Sequence, residues 1–202
     1  SGMVAYMVDN TKSMVEMIYG NSFMTIILII AQLGSVFYLS ANIEKMKAKT
    51  ATLIFFLYAA LTGMTFSSVF LMYTSSSIQS VFFITAISFA GLSGYGFVTK
   101  RDLGPVGTFC HMGLWGVIGF SVISMFFPTL LGGVSGSVFS IVGVIVFAGL
   151  TAYDTKKIKE TNILGNEGTE EDHKETIIGA LTLYLDFINL FIFLMRLMGD
   201  RR

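Results

Sequence analysis

Six apolar runs, each long enough to cross a bilayer as a helix, constrain this chain more than any other feature. They are Ser22 to Asn42, Ala51 to Tyr73, Ile78 to Val98, Val106 to Phe127, Val134 to Tyr153 and Thr176 to Met198, and the first five contain no Asp, Glu, Lys or Arg. At about 1.5 Å of helical rise per residue, some twenty residues cover the roughly 30 Å of bilayer hydrocarbon. Backbone N–H and C=O groups in hydrocarbon must be satisfied within the segment, so such runs predict transmembrane helices. Charged residues make up only 13% of the chain, against about 25% in soluble domains. The predicted class is therefore all-α: a polytopic membrane helix bundle, residues 1-202 forming a single transmembrane domain. Ahead of the six complete helices, Met3 to Val8 covers only about 9 Å before Asp9 interrupts it. It reads as a stub, the end of a truncated first helix. A secretory signal would need a basic start and a small-residue cleavage site, and no targeting peptide is visible.

The connections between runs are short, and their charges set the orientation. Nine of the thirteen basic residues fall in alternate connections: Lys45, Lys47 and Lys49; Lys100 and Arg101; Lys156, Lys157, Lys159 and Lys174. The positive-inside rule places those connections in the cytoplasm. The opposite connections carry only Lys12. Strict alternation puts Arg201 and Arg202 on the outer side, against the bias. Either the last segment re-enters or a short terminal charge pair is outvoted by the other loops; a full crossing is the expectation.

Most sites of soluble chemistry find no residues here. Cys110 is the only cysteine, so an intramolecular disulfide is impossible. Cys110 and His111 are sequence neighbours, which a helix turns about 100° apart, so they make a poor catalytic pair. With His173 in an acidic loop, the histidines have no zinc-ligand spacing, and His111 reads as a hydrogen-bonded packing residue. There is no phosphate-binding glycine loop, nucleophile elbow or basic aromatic patch for nucleic acid. Ala86, Ala90 and Gly94, four residues apart, read as a helix-packing stripe, and the twelve Met and nineteen Phe as bundle filling rather than a cofactor pocket. The acidic run Glu167, Glu170, Glu171, Asp172 and Glu175 lacks the spacing of a calcium loop and reads as a solvated connection. Neither a resident cofactor nor an enzyme is expected.

Asp154 and Asp186 do not fit the bland pattern. A carboxylate near the middle of a membrane helix costs about 2.5 to 3.5 kcal/mol on insertion scales, so it normally faces the bundle interior with a partner. A polar bond between membrane helices returns only about 0.6 kcal/mol on average, which argues for a role beyond bridging. Gly179, Thr182, Asp186 and Asn189 form one small, polar stripe on an otherwise apolar segment. Phe147, Thr151, Asp154 and Ile158 share a face of the preceding one. If that helix continues toward Lys159 with its lysines snorkelling, Asp154 drops below the interface and can meet Asp186. Two carboxyls in reach of each other in a dry site share a proton and titrate as a pair.

Thr151-Ala152-Tyr153-Asp154 followed by lysines, and Leu183-Tyr184-Leu185-Asp186-Phe187-Ile188-Asn189-Leu190-Phe191, resemble the Bax inhibitor-1 family. Tyr58-Ala59-Ala60-Leu61-Thr62-Gly63 and Thr99-Lys100-Arg101-Asp102-Leu103 extend the resemblance over essentially the whole chain, in a bacterial-looking version. It implies a seven-helix fold with the last helix central, the stub at Met3 corresponding to the end of the first helix. It also implies a pH-sensitive calcium leak in a bacterial inner membrane, Asp154 and Asp186 acting as sensor and gate. Gln32 stands where some members place a glutamate on the ion path, and Lys45 is the nearest substitute for an arginine partner of the aspartates. Asn189 joins them as a residue of the ion path or latch. Calcium is then the transported ion, and the bilayer the surrounding partner.

Two other readings remain. One is a non-transporting membrane protein that modulates a membrane-anchored protease, as some bacterial relatives are thought to do. The other is an intramembrane aspartyl protease of the presenilin type, suggested by Tyr153-Asp154 and a second aspartate on the next helix. Asp186 lacks the flanking glycines that open the backbone for substrate in that family.

Overall fold

The computed structural model describes residues 1–9, 20, 22–127, 136–161 and 168–202. Seven helices occupy them: α1 (Gly2–Asp9), α2 (Ser22–Asn42), α3 (Ala48–Met72), α4 (Ser75–Val98), α5 (Gly104–Phe126), α6 (Gly136–Thr161) and α7 (Glu170–Met198). The short first helix followed by long apolar ones is the all-α membrane architecture the runs predict. Helices α3 to α7 each have the length and apolarity to cross a membrane. α2 has the bounds expected of it, with its apolar stretch described over Ile26–Asn42. The expected connection at Pro128–Gly133, Lys12 and Glu167 lie outside the described residues.

The largest departure from expectation is at the junction of the last two helices. Asp154 to Glu175 is expected as the longest loop, but α6 continues to Thr161 and α7 already begins at Glu170. On α6, Thr155 Oγ1 donates to Thr151 O (2.7 Å), and Lys156 pairs with Glu160 one turn on (3.4 Å). On α7, Glu170, Glu171 and Asp172 occupy the first turn and Arg196 the last, so charge complements the helix dipole at both ends. The Asp172 N–H donates to Thr169 Oγ1 (3.2 Å) in the manner of an N-cap. The acidic run is thus, in its described part, the largely exposed first turns of a helix rather than a loop.

Contacts group the chain into two compact units, the first comprising Ser1–Ile78, Ile163–Leu181 and Asp200–Arg202. Here α1 and α2 both pack on α3. A side chain at Gly63 would run into the backbone of Ser1 and the side chain of Val4, so the missing Cβ is what lets α1 seat. Gln32 fastens α2, its amide donating to Leu61 O (2.7 Å) and to Thr65 Oγ1 (2.5 Å). The start of α7 is held at the start of α3, where Glu170 Oε1 accepts the Ala48 N–H (2.8 Å). Beyond the other end of α7, the Thr74 N–H donates to Asp200 O (3.1 Å) and the Arg202 N–H to Met72 O (3.0 Å), while the Asp200 N–H reaches Ser77 Oγ (2.9 Å). Two ends tied beside the two ends of α3, and 29 residues or about 43 Å of rise between them, fit a full crossing by α7.

The second unit holds Gln79–Asn162 and Thr182–Gly199. Its α5 packs along α6, and the Cys110 side chain lies where a Cβ on Gly149 would sit. Phe139 and Phe147 of α6 both meet Phe193 of α7, at 5.6 and 5.8 Å between ring centroids. Phe89 of α4 meets Phe187 edge-on at 5.4 Å. The stripe of Ala86, Ala90 and Gly94 does not pack as expected. Ala90 and Gly94 are exposed, with open space at the Gly94 Cβ position, and the close approach is made instead by Gly96 against the backbone of Ala152. Small residues at regular spacing permit a close crossing without saying which face makes it. Outward faces are apolar: Phe109, Met112 and Trp115 are 66%, 70% and 72% exposed, the arrangement lipid solvation allows.

Candidate functional site

Both aspartates belong to the second unit, and both are buried, Asp154 at 8% and Asp186 at 4% exposure. Phe147, Thr151 and Asp154 form one buried face of α6, as the helical spacing predicts. Thr151 Oγ1 donates to Phe147 O (2.7 Å), so its hydroxyl is satisfied inside the helix. On α7, Asp186 lies about 24 Å from Glu170, near the middle of the helix, on a side with buried Leu190 and Phe193.

Asp154 on α6 and Asp186 on α7 enter each other's electrostatic surroundings. No donor reaches Asp186 Oδ2, which is buried without a hydrogen-bond partner. Two ionised carboxyls offer only acceptors, so neither can supply the donor that Asp186 Oδ2 lacks. An unsatisfied buried acceptor is costly.

The electrostatic surroundings of Asp154 are Asp186 on α7, His111 and Cys110 on α5, and Lys157 on its own helix. His111 Nδ1 lies 2.8 Å from Gly107 O, and its ring stands edge-on to Tyr153 at 5.8 Å between centroids. His111 is thus hydrogen-bonded, as expected of a packing residue, while Cys110 is buried at 2% exposure. What the sequence reading misses is that both act on Asp154 electrostatically from α5. His111 lies seven residues into α5 and Asp154 seven before the end of α6, an end that the apolar run alone places at Tyr153. Consecutive antiparallel helices bring such positions to one level.

The remaining candidates are placed differently. Asn189 sits one turn after Asp186, but its amide donates to Leu185 O (2.8 Å) within α7. Gln32 and Lys45 belong to the first unit. Gln32 spends its amide N–H on α3. Lys45 is exposed and, among the described residues, holds no salt bridge. No group of three or more His, Cys, Asp or Glu gathers among the described residues as a metal centre.

Comparison with known proteins shows the family of the chain. The profile of the family described as "Inhibitor of apoptosis-promoting Bax1" matches residues 1–202. Inner membrane protein YbhL of Escherichia coli K12 is 44% identical over all of this chain and 86% of its own length. A protein of Borreliella burgdorferi is 42% identical over all of this chain and 86% of its own, and YrjE of Lactococcus lactis 37% over 98% and 80%. With its long apolar helices, the chain is a multi-pass membrane protein of the bacterial inner-membrane kind, and it belongs to the Bax inhibitor-1 family.

Proposed function

We propose that this protein is a pH-sensitive cation leak, with calcium the ion carried, and that Asp154 and Asp186 form its sensor and gate. The supporting observation is the buried Asp186 Oδ2 that meets no donor, with the charge of buried Asp154 on the preceding helix in its surroundings. With one proton between them, the pair ties α6 to α7. When both are ionised, repulsion separates them or draws in a cation, so proton concentration selects between two helix arrangements. Coupled carboxyls titrate in two macroscopic steps that belong to the pair. The direct test is calcium flux from proteoliposomes holding only the purified protein, across pH. Flux that changes with pH supports the leak; no flux above empty liposomes at any pH rejects it.

A second reading, a non-transporting protein that modulates a membrane-anchored protease, draws support from Gln32. Its amide N–H is committed to α3, and it carries no charge at a position proposed for the ion path. The flux measurement separates the two, since a modulator alone would give liposomes no leak.

A further inference from the structure

The end of the second unit that the charge rule assigns to the cytoplasm gathers five cations from two segments. Lys100 and Arg101 lie in the α4–α5 connection, and Lys156, Lys157 and Lys159 in the last turns of α6. Side-chain bonds pin these segments together: Lys156 Nζ donates to Arg101 O, and Lys159 Nζ to Phe97 O (2.7 Å). Lys159 also lies over the Phe97 ring, 4.7 Å from its centroid. Phe97 is 55% exposed and its neighbour Val98 71%, so cations and lipid-facing apolar surface meet at one edge. Beside them is a concavity of about 190 Å³ lined by Tyr153, Lys156 and Lys157 together with Asp102 and Glu160. Both carboxylates are partly committed, Asp102 accepting the Gly104 N–H (2.8 Å) and Glu160 pairing with Lys156. Lys100, Arg101 and Lys157 are exposed.

We propose that this edge is a binding site for the phosphate of an anionic phospholipid of the cytoplasmic leaflet. Basic clusters between helix ends on the cytoplasmic side suit such head groups. The exposed Phe97 and Val98 give the acyl chains a surface below the phosphate. The site goes beyond the leak reading and does not depend on it.

Native mass spectrometry of the purified full chain tests it, after equilibration in detergent with dioleoyl phosphatidylglycerol or dioleoyl phosphatidylcholine at equal concentration. Phosphatidylglycerol should be retained in clear excess. Arg101→Gln and Lys157→Gln should each lower that retention about fivefold, the equivalent of about 1 kcal/mol per cation. Arg101 reaches Lys156 through its backbone carbonyl, so its replacement leaves that bond in place. Replacing Lys45, Lys47 and Lys49 together by Gln, at another cytoplasmic connection, should leave retention unchanged. Equal retention of the two lipids would overturn the proposal. So would an equal loss in the Lys45, Lys47 and Lys49 variant, which would mean diffuse surface charge. Full displacement of the lipid by millimolar inorganic phosphate would assign the site to free phosphate and overturn the lipid as its occupant.

Discussion

The carboxyl of Asp186 is buried in α7 with one oxygen that meets no donor, and the Asp154 carboxyl on α6 adds a like charge to its surroundings. Each residue alone is a costly charge in a membrane helix. Together they put two carboxyls into one buried region of the second unit. The consequence for stability can be checked apart from transport. Asp186→Asn supplies an amide donor to Asp154 and should preserve or raise the melting temperature in detergent at neutral pH. Asp186→Ala leaves Asp154 alone and buried, and should lower it. A lower melting temperature for Asn than for Ala would contradict the donor-less geometry.

The glycines give a sharp contrast within one helix. A Cβ at Gly96 would collide with the backbone of Ala152, which cannot swing aside, whereas Gly94 faces open space. Gly96→Ala should therefore destabilise by about 1 to 3 kcal/mol, the usual cost of overpacking. Gly94→Ala should be neutral. Thermal unfolding of the two variants in the same detergent decides it, and equal behaviour would refute the α4–α6 contact.

Gln32→Leu should cost about 0.6 to 1.7 kcal/mol, the range measured for polar bonds between membrane helices. It removes the donor to Leu61 O and Thr65 Oγ1 that fastens α2 to α3. Urea or thermal unfolding would show it. A stability equal to that of the parent protein would mean that the amide is not bonded to α3.

Side-specific labelling tests the crossing of α7. In a Cys110→Ser background, single cysteines at Ser76 and Arg201 should react with an impermeant maleimide from the same side of the membrane. Cysteines at Lys47 and Glu171 should react only from the opposite side. Labelling of Arg201 from the side of Glu171 would make α7 re-entrant and break the pairing of Arg202 with Met72.

The sequence makes much of this legible because hydrocarbon solvation is a severe filter: run lengths alone place α2 to α5 within a few residues. The inward face of Phe147, Thr151 and Asp154 follows from helical spacing. The extension of α6 to Thr161 and of α7 back to Glu170 is harder to read, since those turns are polar and their helicity rests on dipole complementarity and a Thr169 cap. The direction of the Ala86 stripe is not legible, because lipid and protein are alike apolar to a small side chain. Nor does composition reveal that His111 acts on Asp154 electrostatically, a relationship set by depth across two helices.

The most direct test of the central claim is calcium flux as a function of pH in proteoliposomes of the parent protein, Asp154→Asn and Asp186→Asn. A gate made by this pair predicts a pH-dependent flux in the parent protein and a flattened profile, with several-fold change or less across the same range, in both variants. Variants that fold, insert and keep the parent's pH profile would contradict it.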